Sequence, residues 1–164
     1  MAGEVKILRH NVVSYLDTGS SNWALIGLGV TTGTIDMNAN TTTEQYIHES
    51  SAYNSIDSYA PSMAITQTAY KGDDVYDYVF DLYLNRKTGS DCETDMLNIY
   101  LKETTGGSTY TAEKQNVAIE VTNYGGDAGS PVSIEYTIHF NGDNTLGTAT
   151  ITDGVPSFTP NASV

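Results

Sequence analysis

A carboxylate held in a Thr-Gly turn is a reagent for activating water, and Asp17-Thr18-Gly19-Ser20-Ser21-Asn22-Trp23 places one in this chain. That chemistry needs two carboxylates sharing a proton, because like charges at close range cannot both ionise. The chain has no second copy, since Thr152-Asp153-Gly154 runs in the wrong order. A homodimer would supply a twin, but no later apolar-Ile-Gly-Arg segment follows to complete the site. The stretch therefore reads as a polar turn. His10, His48 and His139 have no zinc-like or triad spacing to another ligand. Asp73, Asp74, Asp77 and Asp81 fall on one predicted helix, where acids suit the N-terminus and a solvated face. Asp91, Cys92, Glu93 and Asp95 form a polar loop with no base beside the thiol. Gly27 and Gly29 lack the third glycine and the helix of a phosphate loop. The expectation is a chain with no catalytic, cofactor-binding or metal-binding residue.

The charge balance narrows the function classes further. Seven Lys and Arg stand against 20 Asp and Glu, a net −13 over 164 residues. Such a surface repels phosphate backbones and anionic membranes. Only 16% of residues are charged, while Thr, Ser, Asn, Gly and 12 tyrosines abound. Thr and Tyr favour pleated surfaces and Gly, Asn and Asp favour turns, so composition alone leans towards β. Cys92 is the sole cysteine, which excludes an internal disulfide. With no signal-like segment and no long apolar run, the chain is expected to be made in a cytoplasm and to avoid membranes.

The elements that would position these groups follow from periodicity. A single mainly β domain over 1–164 is expected, a sandwich or barrel-like fold with one flanking helix. Residues 1–21 read as an N-terminal arm. Trp23 to Val30 reads as a buried, bulged strand, and Thr31 to Asn38 and Thr41 to His48 as partner strands around an Asn38-Ala39-Asn40 turn. Residues 50–62 read as a long surface loop, and Met63 to Tyr70 as a strand. Asp73 is the expected N-cap of a helix over about 73–87, with Val75, Val79 and Leu82 at helical spacing and Gly89 closing it. Alternation around Leu97–Leu101, Val117–Val121 and Val132–Phe140 gives three further strands. Asn141-Gly142-Asp143-Asn144 carries hairpin chemistry before a strand over 146–151. Residues 153–164 read as a C-terminal arm.

Several stretches, taken in order, resemble the major tail-tube proteins of long-tailed, siphovirus-type phages. They are Leu25-Ile26-Gly27-Leu28-Gly29-Val30, Glu44-Gln45-Tyr46-Ile47-His48-Glu49, Ser58-Tyr59-Ala60-Pro61-Ser62-Met63, Tyr70-Lys71-Gly72-Asp73-Asp74-Val75-Tyr76 and Thr88-Gly89-Ser90-Asp91-Cys92-Glu93-Thr94. They span roughly residues 22–104, and no single one is a strict signature. The resemblance implies a β-sandwich or barrel related to the type VI secretion tube protein, with no enzymatic activity and no cofactor. It implies hexameric rings that stack into a tail tube in the virion and conduct the genome during ejection. The implied partners are further copies of the chain, a tape-measure protein, a tail terminator, baseplate or initiator proteins, and duplex DNA passing without specific binding.

Within that frame, alternation nominates Asp36, Asn38, Glu44, Glu120 and Glu135 as lumen-facing acids. Val12, Val13, Tyr15, Tyr53, Tyr59 and Phe158, in the two arms and the long loop, are the inter-subunit candidates. Two rival readings stay open from sequence. One is an acidic β-sandwich binding module of a baseplate or capsid. The other is a dimeric aspartic protease using Asp17, whose loop resembles that of the pepsin-like enzymes.

Overall fold

The computed structural model describes residues 3–163. Its described residues hold ten strands, one α-helix and two 3₁₀ turns, the latter at Arg9–Asn11 and Gly89–Cys92. The strands are β1 (Val12–Asp17), β2 (Trp23–Leu25), β3 (Ile35–Asp36), β4 (Ala39–Glu44), β5 (Tyr53–Tyr59), β6 (Ser62–Thr68), β7 (Glu93–Gly106), β8 (Thr109–Gly125), β9 (Ser133–Thr152) and β10 (Val155–Pro160), with α1 at Asp74–Leu84. The fold is mainly β, as the composition predicts.

One antiparallel sheet runs β2-β1-β7-β8-β9-β6-β3. Strand β9 pairs β8 along one edge, while its other edge takes β6 over its first half and β10 over its second. The sheet buries opposite faces at its two ends. In β8, Val117 and Ile119 point into one core, whereas Ala112, of opposite parity, points into the other. The first core sets Leu16, Met63, Met96, Ile134, Tyr136 and Ile138 against Val75, Val79 and Leu82 of α1. The second packs Tyr15, Leu97, Ile99 and Ala149, flanked by Trp23 and Phe158. The chain after β2 draws the sheet round the first core. Thr68 N–H donates to Gly29 O at 3.0 Å, and Val30 bridges Gln67. Gly29 is required there: its φ is +77°, and a Cβ would lie 2.7 Å from Thr68 O.

Several expected elements change. The Trp23 to Val30 strand stops at Leu25, because Val30 N–H turns back to Gly27 O at 3.0 Å. Of the strand expected over Thr31 to Asn38, only Ile35–Asp36 forms as β3. The expected loop 50–62 contains β5, paired with β4 from Ala39↔Tyr59 to Glu44↔Tyr53. Val12–Asp17 of the expected N-terminal arm form β1, an interior strand between β2 and β7. The expected C-terminal arm holds β10, joined to β9 by Asp153 and Gly154 at φ +50° and +78°. Two positive φ values in succession make the tight hairpin turn that matches strand twist. Residues 1, 2 and 164 of those arms lie outside the described residues.

The Asn141-Gly142-Asp143-Asn144 stretch is no hairpin, because β9 runs through it. Its pairing shifts from Lys114↔Thr145 to Asn116↔Asn141, so β9 carries extra residues opposite Gln115. Gln115 Nε2 donates to the carbonyls of Asn141 and Gly142 at 3.3 and 2.7 Å, satisfying groups the bulge would orphan. The helix starts as expected, Asp73 accepting from Tyr76 N–H at 2.9 Å. It ends earlier, at Leu84 rather than near residue 87. Arg86 takes φ +49°, and Lys87 N–H reaches back to Leu82 O at 3.2 Å, closing the helix before Gly89.

Candidate assembly surfaces

Cross-strand register shows which side chains share a face. Asp36 stands opposite Ser62, Ser62 opposite His139, His139 opposite Ala118, and Ala118 opposite Glu93. The next row is Ala64, Thr137 and Glu120, and the third pairs Thr66, Glu135 and Asn123. These rows form the solvent face of β3, β6, β9 and β8, while alternate residues point into the first core. Asp36, Glu120 and Glu135, sequence candidates for a lumen, thus meet on one surface of small polar and acidic side chains. No lysine or arginine stands in these rows. His139 Nε2 lies 2.7 Å from Glu120 Oε2, and Asn123 Nδ2 donates to Glu135 Oε2 at 2.7 Å. With no lysine or arginine in these rows to neutralise its carboxylates, the face presents negative potential.

Asn38 and Glu44 lie elsewhere. Asn38, at φ +46°, turns the chain from β3 into β4, and its Nδ2 donates to Ala60 O and Ser62 Oγ at 3.1 Å each. Glu44 lies at the far end of β4 and accepts from Tyr46 O–H at 3.1 Å. The β4–β5 hairpin is almost wholly in water. Tyr53 and Tyr59 are 67% and 52% exposed, and Met37, Tyr46, Ile47 and Ile56 are open as well. Its strands are built from Thr, Ser and Asn, whose pairs stitch across the hairpin: Asn40 Nδ2 to Ser58 Oγ at 2.9 Å, Thr43 Oγ1 to Asn54 Oδ1 at 2.6 Å. A lone two-stranded hairpin is at best marginal in water.

The remaining inter-subunit candidates divide. Val12 and Val13 are half-buried in β1. Tyr15 is 4% exposed and packs in its own second core, which corrects its assignment to a subunit contact. Phe158 packs against that core from β10 and is only partly available. Sequence reading missed the exposed apolar residues Leu25, Leu28 and Tyr70. The glycine-punctuated apolar run around Leu25 and Leu28 is the signal, but such a run suits a buried strand equally well.

The catalytic candidates take structural roles. Asp17 Oδ1 accepts from Gly19 N–H at 2.9 Å and Thr18 N–H donates to Asn22 O at 3.0 Å, so the carboxylate caps its own turn. His10, His48 and His139 sit on a 3₁₀ turn, the hairpin tip and the sheet face respectively. Among the described residues, no three His, Cys, Asp or Glu side chains group to hold a metal. Burial, and then the Asp91 carboxylate, push the Cys92 thiol up and keep it protonated. No helix of the described residues is long and apolar enough to cross a membrane.

No protein-family model matches the chain, and no curated protein matches it in sequence. Solved structures do match in fold. The tail of an empty gene transfer agent (GTA) particle superposes at a TM-score of 0.63, with 14% identity over 86% of this chain and 98% of that one. The SPP1 tail tube superposes at 0.62, with 16% identity over 91% and 82%. The sheath-tube complex of an extracellular contractile injection system (PVC) gives 0.50, with 12% identity over 90% and 94%. The chain has the fold of the tail-tube proteins.

Proposed function

We propose that this protein is the structural subunit of a tail tube in a virion: copies form rings, rings stack, and the acidic face of β3, β6, β9 and β8 lines the lumen through which duplex DNA passes. The observation that carries the reading is that face, with Asp36, Glu120 and Glu135 presented among small side chains and no Lys or Arg. A like-charged wall keeps DNA from adhering during ejection. The fold shared with the GTA tail and the SPP1 tail tube supports the assembly. The GTA tail has C6 symmetry, which supports six copies per ring here. The uncovered β4–β5 hairpin supplies an arm to a neighbouring copy, since it lacks a core of its own. The role is non-enzymatic and uses no cofactor. Its partners are further copies, a tape-measure protein, a tail terminator and baseplate or initiator proteins.

Negative-stain electron microscopy with light scattering on concentrated protein tests the assembly, hollow rings or stacked tubes being expected. A strictly monodisperse monomer would count against it. The lumen is tested by Glu120→Lys with Glu135→Lys, which should leave rings intact and impair DNA ejection. Normal ejection in that variant would remove the face from the lumen.

A further inference from the structure

We propose that the tip of the β4–β5 hairpin docks into the apolar cleft beside β1 and β2 of a second copy, with Ile47 as the inserted residue; the contact rests on the self-assembly reading above. The tip is tied in place by its own bonds. Glu49 N–H donates to Tyr46 O at 3.0 Å, Tyr46 N–H to Glu49 Oε2 at 3.2 Å, and Gln45 Nε2 to Glu49 O at 3.1 Å. The Tyr46 and His48 rings stack with centroids 6.2 Å apart. Ile47, between them, is 108% exposed. A turn so ordered holds an aliphatic side chain in water at a cost that a partner's apolar surface removes, with little further entropy lost on docking.

The cleft is about 500 Å³, with Ile26, Val30 and Met63 in its lining and Leu25, 48% exposed, beside them. That volume is within the range of roughly 300–1,000 Å³ typical of binding clefts. Arg9 and His10 also line it. In a chain with 7 basic and 20 acidic residues, an apolar cleft bordered by Arg and His selects an apolar knob flanked by acid. Ile47 with Glu49 two residues on fits that description. Ile47 is fully exposed in the protomer, so the tip does not fill its own cleft. Strands of six and seven residues carry it roughly 20 Å from the hairpin base, at ~3.3 Å per residue. Knob and cleft are different surfaces of one subunit, so the contact is heterologous and repeats from copy to copy without closing on a pair.

The test uses the full chain with Cys92→Ser, to remove the native thiol, carrying I47C and L25C together. Under mild oxidation at concentrations where wild-type protein forms rings or tubes, a non-reducing gel should show a ladder of dimers and higher multiples. Either cysteine alone should stop at dimers. Tubes without the ladder would overturn this contact and leave the assembly reading standing; wild-type protein that never forms rings or tubes would overturn the assembly reading and the contact with it. Separately, Ile47→Asp should keep the wild-type melting temperature while lowering polymer mass at least tenfold, and polymer formation at the wild-type level would overturn the proposal.

Discussion

Gln67→Met is expected to destabilise the fold by about 2–4 kcal/mol, and the reason lies in one buried chain of hydrogen bonds. Gln67 is fully buried in β6. Its Oε1 accepts from Tyr136 O–H at 3.0 Å, and its Nε2 donates to Leu28 O at 3.0 Å and Asp73 Oδ2 at 2.9 Å. The amide thus ties β9, the turn after β2 and the helix N-cap to one point. Methionine keeps the length of the side chain and removes every bond. The Tyr136 hydroxyl, 1% exposed, is then left without an acceptor, which costs about 1–3 kcal/mol, and the bond to the Asp73 carboxylate is lost besides. Tyr136→Phe alone leaves the Gln67 oxygen unpaired, for about 1–2 kcal/mol. The double variant removes both ends of that bond and should lose about 1–2 kcal/mol less than the two singles summed. Urea unfolding followed by the fluorescence of Trp23, the single tryptophan, measures all four corners of the cycle. Additivity within about 0.5 kcal/mol would refute the claim that Gln67 and Tyr136 act through each other.

Gly147→Ala should dislodge β10, because the new Cβ would lie 2.3 Å from Thr159 O and 2.8 Å from the Phe158 ring. A loss of about 1–3 kcal/mol is expected, with faster hydrogen exchange confined to β10; unchanged exchange there would contradict the crowding. Deleting residues 153–164 should destabilise the subunit itself and not merely its contacts, since β10 pairs β9 at six register positions from Val155↔Thr152 to Pro160↔Gly147. A truncated chain melting with the full one would contradict this. Burial raises the Tyr136 phenol, and burial with the Glu113 hydrogen bond raises Tyr100, both from 10.0. The folded state therefore holds them neutral while the unfolded chain ionises. Their stability contribution is complete below pH 10 and is lost as pH climbs through the raised values, so Tyr136→Phe should flatten the fall in stability seen by alkaline titration. An equal slope in both proteins would sink the assignment.

The second half of the fold was legible because its strands bury one face at a time, so Val117–Val121 and Val132–Phe140 alternate cleanly. The helix announced itself through Asp73 and the spacing of Val75, Val79 and Leu82. The same alternation nominated Asp36, Asn38, Glu44, Glu120 and Glu135, but only cross-strand register shows that Asp36, Glu120 and Glu135 share a face while Asn38 and Glu44 lie apart from it. Alternation failed at β4 and β5 because neither face of the hairpin meets a core, leaving Thr, Ser and Asn on both sides. It failed at β1 for the opposite reason, since Tyr15 and Leu16 are buried on opposite faces. Asn141-Gly142 looked like a turn because turn residues also make bulges. What chose the bulge was Gln115, on another strand and 26 residues away from Asn141. Asp153-Gly154 carries the true hairpin signal, although in sequence it also matches a Thr-Asp-Gly stretch in reversed catalytic order.

Strands β8 and β9 run 17 and 20 residues, and each passes through both cores. Neither core can therefore melt without dragging out strands that the other needs, which points to one cooperative unfolding step for the sheet. The contacts that close it join distant parts of the chain, Val12 with Tyr100 and Met63 with Ile138. Loop closure of that span must come before any packing rewards it, so folding is slow, on the ms–s scale of β-rich domains. A newly made subunit spends that interval with unpaired strand edges and a bare hairpin, and its net charge of −13 opposes pairing between such chains before the sheet is complete.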